Sequence, residues 1–401
     1  MRYSLNSSSF LADPTSQLTH MRDDAPLVRA KIPLLGEVWV TTNDQTARNV
    51  LKKTDLFVRN PKPITGRGLD ASVWWLPKFM KPLLRNMLGA DGADHKRLRG
   101  LVDQAFARHQ IADMEPELTD IADGLLAGLD TQGPVDILSS YARPLPLMAI
   151  CILLGIDPAD RARIAHWIAP ISGPVNGMTL LLALPSLRRL MQYFRDAFAA
   201  QRISPRPGLI SELVAAEAAG DRLDDDELLA MVFTLFVAGH ETTVHLITMT
   251  ILSILTRPDA RAAVRDTPDA LPLLIEEVMR HDSPVMLTKP HFVARNVAFE
   301  GVQLRKGNTV MPLLIAANRD PDRFDDADTF QPRRQPNAHI GFGHGPHVCL
   351  GMQLARAEAR IAITQLFTRF PETVLAVPDS SPSYTTRTGI HGLTDLRVLL
   401  R

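Results

Sequence analysis

Apolar positions recur at helical spacing through most of the chain, which predicts a mainly α protein with small β-sheets. Helices are predicted at 94–107, 115–129, 142–155 and 157–169, then at 186–202, 208–219, 224–256, 258–265 and 268–281, and from Met352 to Phe370. The segment from Gly36 to Thr41 alternates polar and apolar residues as a half-buried strand does, and a short helix, Gln45 to Lys53, follows it. Short strands return between 285 and 312, around Phe292 to Ala294 and Thr309 to Met311. Between these lie a proline-broken stretch, 59–90, a small apolar connection, 170–185, and a polar region, 318–346, with little periodicity. Unpatterned segments of such length inside a fold usually carry function.

Composition narrows the class. The 401 residues contain 44 Lys+Arg against 44 Asp+Glu, a balance that leaves no basic footprint for nucleic acid. Length alone allows two or three domains, yet no linker-like composition shift divides the chain, so one domain over 1–401 is expected. The first 26 residues have no apolar core of a secretory signal, and no uninterrupted apolar run reaches bilayer length. A cytoplasmic protein without a membrane anchor is expected. The two cysteines, Cys151 and Cys349, stand far apart, as suits a reducing compartment.

Cys151 lies in the apolar run Leu145 to Leu154 and reads as core. Cys349 differs: it sits in Phe342-Gly343-His344-Gly345-Pro346-His347-Val348-Cys349-Leu350-Gly351, at the entry to a helix. Glycines and a proline hold such a backbone in a turn. A helix start lowers a thiol pKa, so the sulfur is a candidate nucleophile or metal ligand. Zinc held by His344, His347 and Cys349 fits no common spacing and lacks a fourth ligand.

This loop resembles that of the cytochrome P-450 family, of the form Phe-x-x-Gly-x-x-x-Cys-x-Gly, matched by Phe342, Gly345, Cys349 and Gly351. The resemblance implies that Cys349 is the axial thiolate of haem b, iron protoporphyrin IX, which is the chemistry expected of Cys-ligated haem. Further segments match in family order. Glu277-Val278-Met279-Arg280, with Arg334 or its neighbour Arg333, resembles a Glu-Arg-Arg triad that positions the haem loop. Ala238-Gly239-His240-Glu241-Thr242-Thr243 interrupts an apolar run within the 224–256 helix and resembles the oxygen groove. A Thr hydroxyl can bond the carbonyl four residues back, that of Ala238, and bend the helix. The resemblance gives Thr242 and Glu241 the delivery of protons during O2 reduction.

His95 and Arg99, four residues apart and so on one helix face, resemble the family's propionate-binding pair, and His347 matches its Arg or His beside the cysteine. His291 stands where many relatives carry Arg. Lys96 and Arg97 are then expected to face solvent and an acidic electron donor. By resemblance the substrate pocket is lined by Trp74, Trp75, Leu83, Met87, the connection from Ile171 to Leu184, Val237, Ala238, Val285, Met286, Leu287 and Ile390, mostly apolar. Arg67, Arg387 and His391 are candidate anchors for a substrate carboxylate.

The implied activity is that of a bacterial-type haem-thiolate monooxygenase that hydroxylates or epoxidises a hydrophobic small molecule with O2. Terpenoids, polyketides, steroids and fatty acids suit the pocket. No flavin, nicotinamide or iron–sulfur motif occurs, so electrons from NAD(P)H are expected through a separate ferredoxin and ferredoxin reductase, and the protein is expected to be monomeric. A peroxygenase, or a haem-thiolate isomerase or dehydratase, would commonly lack the Glu241-Thr242 pair. A non-catalytic haem sensor or ligand carrier would bind substrate without consuming NADPH.

Overall fold

The computed structural model describes residues 2–33, 35–66, 68, 77–108, 111–171, 177–218, 223–377 and 382–401. Helices dominate, as periodicity predicts. The longest, Asp225–Thr256, opens with a capping box in which the Asp224 carboxylate accepts from Glu227 N–H and the Glu227 side chain accepts from Asp224 N–H. Its apolar positions run all round, so it is buried by neighbours on several sides, among them the helices Pro144–Leu154 and Met352–Arg369. It is long and apolar enough to span a bilayer, but 67% of its apolar window is buried inside the protein, which marks a core helix.

A six-stranded sheet joins distant parts of the chain in the order Arg2–Ser4, Leu27–Ile32, Gly36–Thr41, Thr309–Met311, His291–Val293 and Phe57–Val58. Small sheets of three and two strands complete the β structure among the described residues. Two apolar clusters carry most of the packing. One joins the helices, and the other sets Leu5, Phe10, Leu18 and Met21 of the N-terminal region against the sheet.

Three departures from the predicted elements have physical causes. The N-terminal strand Arg2–Ser4 and helices Ser8–Ala12 and Thr15–Asp24 are too short for a periodic signal and form because Leu5, Phe10, Leu18 and Met21 bury together. The 170–185 connection ends in helix: Gly177–Ile203 runs through Pro185, held by buried Leu187, Leu190, Met191, Phe194 and Phe198 at helical spacing. The helix expected at 142–155 begins as a π-helical turn, Leu138–Ala142, followed by Pro144–Leu154. It stops at Gly155, whose φ of +75° suits glycine and where a Cβ would meet Pro207 O at 2.5 Å.

Candidate active site

The long polar region after residue 318 has almost no strand or helix, so its carbonyls need other donors. Arginine supplies them. Arg280, fully buried, pairs with Glu277 through Nε and Nη2 (2.8 and 2.7 Å) and donates to the carbonyls of Asn318, Ala327 and Thr329. Arg334 reaches Glu277 at 3.3 Å and donates to the carbonyls of Asp325, Asp326 and Thr329. Arg333 is exposed and bonds Thr267 Oγ1 instead, so the third member of the triad is Arg334.

This frame leads into the cysteine loop. Gly343 N–H donates to Ile340 O, Val348 N–H to Gly345 O, and Cys349 N–H to Phe342 O (2.8 Å), closing the turn around the sulfur. Gly343 and Gly345 have φ of +79° and +72°, and a Cβ at Gly345 would meet Leu51 O at 2.6 Å. The Arg356 guanidinium lies 4.8 Å over the Phe342 ring and pairs bidentately with Glu276 (2.7 and 2.7 Å). Gly351 caps the helix Met352–Arg369, and a Cβ there would meet no protein atom within 4 Å. The helix start does not by itself make Cys349 a thiolate. Burial pushes the thiol up, against the Gly351 N–H, Arg99 and Arg356, which favour the anion. Cys151 is fully buried and pushed up to about 12 by the same effect, as its core reading requires.

In the long helix, Thr242 Oγ1 donates to Ala238 O (2.8 Å) and Thr243 Oγ1 to Gly239 O (3.2 Å). Ala238 is exposed, with Thr234 and Thr242 partly so, on a helix otherwise largely buried. Four-residue spacing puts these three on one stripe, which the neighbouring elements leave uncovered. Glu241 is buried, 3.4 Å from His245 Nε2 and 3.7 Å from Arg387 Nη1. Burial opposes its charge, but His245, His240 and Arg143 outweigh burial and hold the carboxyl below its usual range. A Cβ at Gly392 would overlap the His245 ring at 2.1 Å, so glycine there lets the C-terminal turn close over this pair.

Nitrogen donors gather around the loop. His95 is buried, and its ring lies against that of His347 with centroids 4.0 Å apart and the planes tilted by 50°. Arg99 donates through Nη1 to Val348 O (2.8 Å) and pairs with Asp103. His291 is buried with Nδ1 unpartnered among the described residues. Burial and the Arg59 charge hold His291 well below its ordinary value, and the same two causes, with His95 and Arg99, lower His347 to about 3. A buried cluster of donors that repel one another fits an anionic group, which haem propionates would supply.

Other predicted residues are distributed differently. Arg97 is only partly open to solvent: it pairs with Glu227 (2.8 Å) and ties its helix, Gly92–Arg108, to the cap of the long helix, while Lys96 is exposed. Arg387 is drawn to Glu241, and His391 is buried with its ring nitrogens on Asp282 O and Leu11 O, so neither is a free carboxylate anchor. Val285 pairs with Ile390, and Gly389 O accepts from Met286 N–H, bringing the late turn beside the 285–287 segment. The side chains of Met286 and Leu287 are buried with the N-terminal cluster, and Met87 with the helical core, against which Leu83 and Val237 pack. Trp74, Trp75 and Arg67 lie outside the described residues. Sequence reading passes over Arg59, which the structure buries beside the histidines. Its signal was an arginine directly after the strand Phe57–Val58, hidden by the surrounding prolines.

The family model described as Cytochrome P450 matches residues 186–392. The chain is 36% identical over 404 residues to the Vitamin D(3) 25-hydroxylase of Pseudonocardia autotrophica, covering 100% of this chain and 96% of that protein. It is 36% identical over 375 residues to Cytochrome P450 107B1 of Saccharopolyspora erythraea, covering 92% and 91%. Among solved structures, the myxobacterial cytochrome P450 CYP267B1 in complex with myristic acid aligns with a TM-score of 0.90 at 33% identity, covering 99% of this chain and 98% of that one. The protein belongs to the cytochrome P450 family and is a monooxygenase.

Proposed function

We propose that this protein is a haem-thiolate monooxygenase that hydroxylates or epoxidises a large, apolar small molecule, with electrons from a separate ferredoxin and its reductase. The observation that carries this reading is the cysteine turn: Cys349 is held by Phe342 O and framed by Gly345 and Gly351, directly before a helix. Cys349 would ligate the haem iron. His95, Arg99, His291 and His347 would bind the propionates, and Phe342 would pack beside the sulfur. When bound, haem supplies the O2 activation that no side chain can provide.

The chain's own residues supply orientation and protons. Thr242, tied to Ala238 O, presents its hydroxyl on the open stripe of the long helix, where it can pass a proton inward. Glu241, the next residue back, would be the source, and it is steadied by His245 and Arg387. Its lowered carboxyl pKa keeps it ionised near neutral pH, so it accepts a proton from solvent before donating it. The substrate class follows from the apolar residues Val237, Val285 and Ile390. The relatives that hydroxylate vitamin D(3) or bind myristic acid support a lipid-like or polyketide-like molecule.

The test is the reduced CO complex of the purified protein. A thiolate-type red-shifted band is expected, lost in Cys349→Ala. A band that survives the substitution excludes Cys349 as the ligand.

A further inference from the structure

The strand Phe57–Val58 pairs antiparallel with His291–Val293, Phe57 opposite Val293 and Val58 opposite Phe292. Continuing that register by one residue sets Arg59 across from His291. The Arg59 side chain is buried, with the residue 8% exposed. Its Nη1 donates to Lys289 O (2.7 Å), while Nε has no hydrogen-bond partner among the described residues. The nearby carboxylate, Asp91, already accepts from the backbone N–H groups of Arg59 and Asn60 (2.7 to 2.9 Å). A buried guanidinium without a committed carboxylate is costly and calls for an anion.

The other cations nearby are placed differently: Lys289 beside Arg59 is exposed. Arg99 is engaged by Asp103 and Val348 O. His291 is held below its ordinary range, by burial first and by the Arg59 charge second. Burial lowers Arg59 itself to about 10, with Asp91 opposing, which still leaves it charged at neutral pH.

We propose that Arg59 is a cofactor-binding residue that holds a haem propionate, supplying from the neighbouring strand a guanidinium beside His291. A guanidinium meets a carboxylate through parallel N–H donors, a geometry that imidazole cannot offer. This assignment rests on the haem reading above.

The experiment compares the purified holoproteins of wild type, Arg59→Met, Arg59→Lys and the double variant Arg59→Met/His291→Arg. It measures haem release to an excess of haem-free globin, together with the propionate-bending bands in resonance Raman spectra. Arg59→Met is expected to release haem about tenfold to a hundredfold faster, as loss of a hydrogen bond to a charged group implies. Its propionate band should shift while the CO spectrum stays thiolate-type. The double variant should restore both, because it moves the charge across the strand pair. Arg59→Lys should fall between, and it carries the comparison if Arg59→Met does not accumulate. Unchanged release and an unmoved band in Arg59→Met or Arg59→Lys overturn the assignment, as does a double variant that restores neither. A wild-type protein without thiolate-ligated haem overturns the functional reading instead.

Discussion

Burial and charge at single residues give the sharpest expectations. Glu358, in the helix Met352–Arg369, is buried with Oε2 unpartnered among the described residues, and burial raises its pKa well above 4.5. In the folded protein it therefore keeps its proton to higher pH than in the unfolded chain. Its contribution is fully favourable below about pH 4.5 and is lost as pH rises toward the folded value. Glu358→Met is expected to stabilise the protein at pH 8 by about 1–3 kcal/mol and by less at pH 5, measured by calorimetry. A variant less stable at pH 8 would show that the carboxyl serves an unseen partner. Thr242→Ala should slow product formation by about tenfold or more and raise the peroxide released per NADPH consumed. Normal coupling in that variant counts against a proton path through the hydroxyl.

Between elements, arginine pairs decide what stays in place. Glu277 accepts from Arg280 and Arg334, and the two guanidinia hold the carbonyls of the region before the cysteine loop. Glu277→Ala leaves buried guanidinia unpaired and should cost about 3–5 kcal/mol in urea unfolding. Arg333→Ala, on the exposed neighbour, should cost under about 0.5 kcal/mol. Equal losses would remove the distinction between the two arginines. Glu276 links the helix Leu271–His281 to His339 and Arg356. Burial opposes its charge, yet these partners hold it down to about 2. Its stabilisation is present above about pH 4.5 and lost as pH falls toward 2, so Glu276→Gln should flatten the acid limb of a Tm against pH curve. An unaltered acid limb would place the acid sensitivity elsewhere.

For the whole molecule, net charge is zero and association with an electron donor depends on where charges remain unpaired. Arg97, Arg356 and Arg360 are committed to Glu227, Glu276 and Glu115, whereas Lys96 is exposed. Lys96→Glu is expected to slow reduction by an acidic ferredoxin about threefold to tenfold at low salt, with the difference vanishing as ionic strength rises and Tm unchanged. Arg97→Glu should instead lower Tm, because it repels Glu227. A salt-independent effect of Lys96→Glu would move the docking face elsewhere.

The sequence by itself determined the helices with long amphipathic or apolar runs, the cysteine turn with its glycines, and the motifs whose function depends on local spacing. Glu277 with Arg280, Thr242 with Ala238, and His95 with Arg99 are such cases, since three- and four-residue spacing fixes a helix face. Only the tertiary structure decided what is settled across hundreds of residues. It chose Arg334 over Arg333, paired Arg97 with Glu227, drew Arg387 to Glu241, and buried Arg59 near His291. The physical reason is that periodicity reports which face of an element is apolar, while the partner of a charge depends on which other elements pack there and how completely they exclude water.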